Sequence, residues 1–188
     1  MSPEAIRKLA LAGVVLGFGA AAVAGGFLLF GPGGPEPAAV GRFQVSDQPA
    51  RDFAFTDGAG QPVRLADFAG TVVLLNVWAT WCAPCVKELP ALDRLQSELG
   101  RPGFQVVAVA QDRGGAGVVL PFLDKQGVKA LKPYLDTPAK AGTILGVRGL
   151  PTSILIGRDG REAARLLGGA DWDSPAVRRQ ITELTGRR

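Results

Sequence analysis

The chain has 188 residues, 47% of them hydrophobic and 20% charged, with two cysteines and no histidine. The absence of histidine excludes Ser/His/Asp triads, Cys/His pairs, and zinc or haem sites with imidazole ligands. Two cysteines are too few for a four-thiolate zinc site or an iron-sulfur cluster within one chain. We therefore expect no metal or other cofactor, and a cysteine chemistry limited to one dithiol/disulfide pair or two unrelated thiols.

The net charge is +4, from 21 Lys and Arg against 17 Asp and Glu. Basic and acidic residues alternate along the chain, and the only basic clusters after residue 30 are Arg178-Arg179 and Arg187-Arg188. Binding to a phosphate backbone requires a basic stripe with interleaved aromatic residues. Since the sequence has no such stripe, we do not expect nucleic acid as a partner.

An apolar segment near the N-terminus predicts a membrane anchor. Residues 9–30 contain no charge and follow Arg7 and Lys8. At about 1.5 Å per helical residue the segment is long enough to cross a lipid bilayer, and the preceding basic residues place residues 1–8 in the cytoplasm. A cleavable signal peptide is the alternative, because Ala22-Val23-Ala24 has the pattern of a cleavage site. The apolar run continues beyond that site, which favours an uncleaved signal anchor.

Residues 31–50 contain four Gly and four Pro and predict an extended tether without regular structure. The remaining residues, 51–188, are enough for one domain with its own core. The sequence therefore predicts a cytoplasmic N-terminus, one transmembrane helix, a tether and a single exported domain.

Strands and helices alternate within the predicted domain. A short hairpin covers residues 53–56 and 63–65, and residues 71–78 form a near-continuous apolar run typical of a strand covered on both faces. Further predicted strands cover 104–110, 152–156 and 162–167, and predicted helices cover 84–99, 118–125, 139–145 and 175–184. This order predicts an α/β domain with a mixed central sheet, an N-terminal hairpin and helices on both faces.

The sequence Trp81-Cys82-Ala83-Pro84-Cys85 lies where the buried strand ends and the long helix begins. At a helix N-terminus, free backbone N–H groups and the helix dipole favour a thiolate, so we expect Cys82 to be the nucleophile. Cys85, one turn into the helix, is expected to be buried and to resolve a mixed disulfide. The alternative is a purely structural disulfide, but so short a loop constrains the unfolded chain very little.

These residues, with Lys87-Glu88-Leu89-Pro90-Ala91 and Gly149-Leu150-Pro151-Thr152, resemble the TlpA/ResA-type membrane-anchored thiol:disulfide interchange proteins. The resemblance covers about residues 52–184 and implies a thioredoxin-like fold. It also implies a single-pass protein of the inner membrane whose C-terminal domain lies in the periplasm, and a cis peptide bond before Pro151 that faces the dithiol. The substrate-binding residues that it implies are Trp81, Ala83, Pro84, Leu150, Pro151 and Thr152.

Two positions concern proton transfer. Thioredoxin has a buried aspartate six residues before the first cysteine, where this chain has Asn76, which cannot accept a proton. Glu88 matches an acidic residue that assists proton transfer near the dithiol of ResA-like proteins. If partly buried, its pKa would rise toward the range of a general base. The alternative is a solvated helix carboxylate paired with a neighbouring basic residue.

The direction of electron flow is predicted from the residues between the cysteines. Strong oxidants of the DsbA type carry a histidine there, whose charge favours the thiolate, whereas this chain has Ala83-Pro84. We therefore expect a reductant of disulfides in exported proteins. The resemblance implies that a membrane electron carrier of the CcdA or DsbD type recharges it.

The protein substrate is predicted from the family alone. Dedicated reductases of cytochrome c maturation often carry Gly-Val-x-Gly-Ala-Pro-Glu around the cis proline, whereas residues 146–152 read GVRGLPT. This difference favours the TlpA branch, which acts in assembly of the copper site of cytochrome oxidase. Apocytochrome c is the alternative substrate. A peroxiredoxin-like peroxidase is disfavoured, because the Pro-x-x-x-Thr-x-x-Cys pattern is missing before Cys82.

Overall fold

The computed structural model describes residues 43–100 and 103–186. The predicted cytoplasmic N-terminus (1–8), the predicted transmembrane segment (9–30) and most of the predicted tether lie outside the described residues. Among the helices of the described part, none has the length and apolar character needed to span a bilayer.

The described residues form one eight-stranded sheet with helices on both faces. The strands are β1 Gln44–Pro49, β2 Ala54–Asp57, β3 Pro62–Arg64, β4 Val72–Trp78, β5 Phe104–Ala110, β6 Tyr134–Leu135, β7 Thr152–Ile156 and β8 Arg161–Leu167. The helices are α1 Ala83–Leu99, α2 Ala116–Lys125, α3 Ala141–Ile144 and α4 Pro175–Gly186, and a single 3-10 turn covers Leu65–Phe68.

The sheet is mixed, with strand order β1-β8-β7-β4-β5-β6-β2-β3. The central strand β4 is parallel to β5 and antiparallel to β7. Every residue of β4 is buried, and because successive side chains point to opposite faces, the strand contributes to two cores. Leu74 and Trp78 pack in the core that includes α1, α2 and α4, and Val73 and Leu75 pack in the core that includes α3. The predicted mixed sheet and N-terminal hairpin are confirmed.

Helix α1 positions the two cysteines at the carboxyl end of β4. Leu89, Leu92 and Leu95 recur at three-residue spacing, are fully buried and hold the helix against the sheet. Pro84 lies in the first turn, where its missing N–H leaves no hydrogen bond unmade. Pro90 lies inside the helix. The helix therefore begins directly after Cys82, within one residue of its predicted start.

The predicted tether, 31–50, is wrong for residues 44–49. These residues form β1, an edge strand that pairs antiparallel with β8. Phe43 is buried just before it and contacts Trp172 edge to face, with 6.1 Å between ring centroids. The strand forms through its pairing with β8, and an exposed Arg161–Asp47 ion pair lies beside it. The Gly- and Pro-rich composition of the segment therefore did not indicate its structure. The domain therefore begins by residue 43 rather than at residue 51.

Smaller differences lie in the second half of the domain. The two-residue strand β6 was not predicted, α2 begins two residues earlier than predicted, and α3 is shorter than residues 139–145. Strand β6 pairs with both β5 and β2. It therefore connects the predicted hairpin to the central sheet, a contact between distant segments that no local pattern indicates.

Candidate active site

Cys82 and Cys85 form a disulfide at the N-terminus of α1, with 5.2 Å between their Cα atoms. Cys82 occupies the N-cap position in an extended conformation, and its carbonyl accepts the Val86 N–H at 3.0 Å. Cys82 is 6% exposed, whereas Cys85 is fully buried. Cys82 thus keeps a slight exposure that Cys85 lacks, and the difference has the direction expected between an attacking and a resolving cysteine.

The loop before the dithiol is held by a buried carboxylate that the sequence did not indicate. The backbone N–H and the hydroxyl of Thr80 both donate to Asp112, which follows β5 and is only 4% exposed. The next residue, Trp81, is 70% exposed. Asp112 therefore fixes the backbone that presents an apolar ring to solvent immediately before Cys82.

The Leu150–Pro151 peptide bond is cis, as the resemblance implied. Thr152, the first residue of β7, lies opposite Val77, so the proline lies at the end of the sheet where the loop to Cys82 begins. The carbonyl of Pro151 accepts the Gly168 N–H at 2.9 Å, and Leu150 packs against the core that contains both cysteines. The cis-proline loop and the dithiol therefore share one region of the molecule.

The predicted substrate-binding residues differ in exposure. Trp81, Ala83 and Pro84 are exposed and Leu150 is half-buried. Pro151 and Thr152 are buried, and the Thr152 hydroxyl donates to the Gly149 carbonyl at 2.7 Å. This hydrogen bond joins the two ends of the cis-proline loop, Gly149 and Thr152.

Leu167 is an exposed apolar residue that the sequence analysis missed. It lies at the end of β8, opposite Thr152, and is 62% exposed. A Cβ at Gly149 would lie 3.5 Å from its Cδ1, so Leu167 borders the cis-proline loop. Leu167 directly follows the buried Leu166 and lies on the face of β8 that carries Arg165, so it breaks the alternation of apolar and polar residues, which was the available signal.

Glu88 is buried, not the solvated carboxylate of the alternative interpretation. Its Oε1 accepts a hydrogen bond from Asn76 Nδ2 at 3.0 Å. Its Oε2 accepts from Trp172 Nε1 at 3.1 Å and from the Ala170 N–H at 3.2 Å. Burial raises the pKa of Glu88, and the three hydrogen bonds oppose this rise because they stabilise the carboxylate. The shift is in the direction that suits a proton acceptor near neutral pH.

Asn76 connects Glu88 to the neighbouring strand. It lies in β4 directly opposite Ser153 of β7, and its Nδ2 also donates to Ser153 Oγ at 3.0 Å. Both donors of the amide are thereby used. Its Oδ1 is buried without a partner among the described residues. The sequence placed Asn76 and Glu88 near the dithiol but indicated neither their contact nor the parts of Ser153 and Trp172.

Comparisons with known proteins agree with this site. The Redoxin family model matches residues 45–181. "Thiol-disulfide oxidoreductase ResA" of Bacillus anthracis is 34% identical over 119 residues, which are 63% of this chain and 68% of that protein. A crystal structure assigned to a thiol:disulfide interchange protein DsbE from Chlorobium tepidum has a TM-score of 0.66 at 34% identity, covering 75% of this chain and 99% of that one. The exposed lipoprotein thioredoxin Etrx1 from Streptococcus pneumoniae has a TM-score of 0.58 at 28% identity, covering 70% and 98%.

Proposed function

Because the chain belongs to the Redoxin family and is a ResA-type thiol:disulfide oxidoreductase, we propose that it reduces disulfide bonds of exported proteins. The observation that carries this proposal is the Cys82–Cys85 disulfide at the start of α1, in which Cys82 keeps a slight exposure and Cys85 is fully buried. The apolar residues between the cysteines favour the reducing direction, since no histidine is present to stabilise the reduced form.

In the proposed reaction, the Cys82 thiolate of the reduced protein attacks one sulfur of the substrate disulfide. A mixed disulfide forms between Cys82 and that sulfur, and the other substrate sulfur leaves as a thiolate. Cys85 then loses its proton and attacks Cys82, which releases the second substrate thiolate and leaves the disulfide seen in the structure. The substrate gains two electrons from the dithiol, which is oxidised to the disulfide. One proton leaves Cys85, and the two substrate thiolates take up protons from solvent.

Glu88 is the proposed proton acceptor for Cys85. It lies three residues later on α1, a spacing that places two side chains on the same side of a helix. It is buried, and the pKa is raised by desolvation. A carboxylate in this position is able to take the Cys85 proton as the resolving thiolate forms.

The substrate is proposed to bind across the exposed residues around the dithiol. Trp81, Ala83 and Pro84 are the exposed neighbours of Cys82 in sequence. Half-buried Leu150 and buried Pro151 lie on the cis-proline loop, where the backbone is the part proposed to meet the substrate. Leu167 extends this apolar surface along the end of β8. An unfolded segment with apolar side chains beside its disulfide fits such a surface.

We place this domain in the periplasm, attached to the inner membrane by a single pass through residues 9–30. The apolar character of that segment and the basic residues before it support this placement. A membrane electron carrier of the CcdA or DsbD type is the proposed donor that reduces the Cys82–Cys85 disulfide after each turnover.

The proposed substrate is a protein that assembles the copper site of cytochrome oxidase, with apocytochrome c as the alternative. The test is to express full-length Cys85→Ala, which stalls the reaction at the mixed disulfide on Cys82, and to identify the captured protein. A Cys82→Ala variant is the control, since it should capture nothing. A copper-assembly protein supports the first substrate, and apocytochrome c supports the alternative. Failure to capture any protein contradicts the reductase proposal.

A peroxidase activity is tested separately. The unmodified protein, supplied with a thiol donor, is expected not to consume hydrogen peroxide. Rapid peroxide consumption that depends on Cys82 would replace the reductase proposal with a peroxiredoxin-like one.

A further inference from the structure

The amide of Asn76 is the least satisfied polar group around Glu88. Its two N–H donors bind Glu88 and Ser153, both at 3.0 Å, while its carbonyl oxygen is buried without a partner among the described residues. A buried unpaired carbonyl costs free energy, so such a group calls for an explanation. The explanation lies in what happens when Glu88 takes a proton.

A protonated Glu88 needs an acceptor for its new O–H group. The proton cannot be accommodated on Oε2, because that oxygen faces two N–H donors, from Trp172 and Ala170, and no acceptor. It therefore resides on Oε1, which faces the Nδ2 donor of Asn76. Two donors would then point at each other across 3.0 Å.

Rotation of the Asn76 side-chain amide by about 180° removes this conflict. The rotation places Oδ1 where Nδ2 was, so that Oδ1 accepts a hydrogen bond from the Glu88 O–H. Ser153 adapts without moving, since a hydroxyl that accepts from Nδ2 is equally able to donate to Oδ1. In each orientation one group of Asn76 is unpaired, so neither state is favoured by the count of hydrogen bonds.

We propose that Asn76 is a positioning residue that, by rotating its amide between Glu88 and Ser153, lets Glu88 alternate between proton acceptor and proton donor. This inference rests on the proposed role of Glu88 in the resolving step. The Cys85 proton passes to Glu88 Oε1 as the Cys85 sulfur bonds to Cys82 and the substrate thiolate departs. The amide rotates to accept from the Glu88 O–H, and returns when Glu88 passes its proton to solvent.

The groups that contact the Glu88 carboxylate are all neutral. β4 contributes Asn76, β7 contributes Ser153 through Asn76, and the segment after β8 contributes Trp172 and the Ala170 N–H. The charged residues next in sequence to these groups, Lys87 and Asp171, are exposed, and no charged side chain of the described residues is among the causes of the raised pKa. On α1, Asp93, Arg94 and Glu98 lie five or more residues beyond Glu88 and are not among those causes either. The Cys85 thiol of the reduced protein is the titratable group that lies three residues from Glu88, on the same side of the helix.

The first test needs no substitution. In the full-length reduced protein, the side-chain amide resonances of Asn76 and the carboxyl carbon of Glu88 are followed by NMR across the pH range. They are expected to change with the same midpoint, and the Asn76 change is expected to vanish in Glu88→Gln. An Asn76 amide that does not respond while Glu88 titrates overturns the proposal.

The second test separates positioning from a merely structural role. Single-turnover oxidation by a synthetic peptide disulfide is measured against pH for the unmodified protein, Asn76→Leu, Glu88→Gln and the double variant. Asn76 bonds both forms of Glu88, but its hydrogen bond to the charged carboxylate is stronger than the one it accepts from the neutral acid. Loss of Asn76 should therefore move the acid limb of the profile up by about one pH unit, a loss of about tenfold at lower pH. In the Glu88→Gln background, Asn76→Leu should not move the profile.

The outcomes distinguish this inference from the proposed function. An unchanged profile in Glu88→Gln overturns the role of Glu88 itself. A profile that depends on Glu88 but is unmoved by Asn76→Leu overturns only the role of Asn76. If Asn76→Leu fails to fold, Ser153→Ala removes the second partner of the amide and is expected to change the midpoint of the NMR titration, and an unchanged midpoint counts against the proposal.

Discussion

The indole Nε1 of Trp172 donates a hydrogen bond to Oε2 of Glu88 at 3.1 Å, which joins the segment after β8 to the first turns of α1. Trp172 is fully buried and also contacts Phe43. The residue that holds the candidate proton acceptor therefore also packs against the residue that precedes β1. Trp172 therefore contacts both Glu88, near the dithiol, and Phe43, at the edge of the sheet.

Trp172→Phe should destabilise the protein by about 2–4 kcal/mol. It removes one donor from a buried carboxylate and leaves space where the larger ring was. Denaturant unfolding of the full-length protein, followed by fluorescence, measures the loss. In a Glu88→Gln background the loss should be smaller by about 1 kcal/mol, since a neutral amide is a weaker acceptor. Equal losses in the two backgrounds would show that the hydrogen bond contributes nothing.

The pH dependence of stability should show the burial of Glu88. Its pKa is raised in the folded protein above the ordinary value of 4.5, so the folded state binds this proton more tightly than the unfolded state does. The contribution of the group is therefore fully present below about pH 4.5 and is lost as the pH rises through the folded pKa. The free energy of unfolding should fall over this window relative to that of Glu88→Gln.

The comparison with Glu88→Gln isolates this effect from other carboxylates. The pKa of Asp52 is lowered by its hydrogen bond with Arg64, and that of Asp173 by its hydrogen bond with Arg94. Asp52 and Asp173 act in the opposite sense, since their contributions to stability are lost as the pH falls. Both residues are present in the unmodified protein and in Glu88→Gln, so their effects cancel in the comparison. A difference in unfolding free energy that stays constant from pH 4 to 8 would contradict a raised pKa.

Leu167→Ser should weaken reduction of a protein disulfide without affecting the chemistry. Loss of its apolar contact with a substrate is expected to raise KM by about five- to tenfold for an unfolded protein disulfide, with kcat unchanged. Reaction with a small disulfide should not change, since such a molecule does not reach the end of β8. Val45→Ser is the matched control, because Val45 is an equally exposed apolar strand residue, 71% exposed, on β1. Equal effects of the two substitutions would remove Leu167 from the docking surface.

The position of the domain boundary is testable with two fragments. A fragment of residues 43–188 should be more stable than one of residues 51–188 by about 3 kcal/mol or more, because the shorter one lacks Phe43 and the whole of β1. Urea unfolding of the two fragments measures this difference. Equal midpoints and slopes would show that β1 contributes no stability and would restore the boundary predicted from composition.

The features predicted from sequence were those with local signals. The apolar run of β4, the three-residue spacing of leucines in α1 and the two cysteines between them lie within 30 consecutive residues. They determine where the dithiol lies and which sulfur is buried. The contact between Asn76 and Glu88 was not predicted, because it depends on how closely α1 packs on β4, and the bond from Trp172 joins residues 84 positions apart.

The failures have the same origin. Gln44–Pro49 has no alternation of apolar and polar residues, and its extended conformation is set by pairing with β8, more than a hundred residues later. The hydrogen bond from the Thr152 hydroxyl to the Gly149 carbonyl was not predicted either, because it depends on how the cis-proline loop folds back. In both cases the conformation depends on a hydrogen-bond partner, β8 or the Gly149 carbonyl, that the local sequence pattern does not indicate.

The inward hydroxyl of Thr152 has a consequence for how related proteins are compared. The residue after the cis proline is one of the positions that distinguish branches of the family, and in this chain it determines the shape of the loop and makes no contact at the surface. A residue without a hydroxyl there cannot make the hydrogen bond to the Gly149 carbonyl, so the loop at Gly149 and Leu150 would lose this contact. The residue at this position would then affect substrate selectivity indirectly, through the conformation of the cis-proline loop. Exchanging this side chain between branches should change the loop conformation, and substrate recognition only as a result.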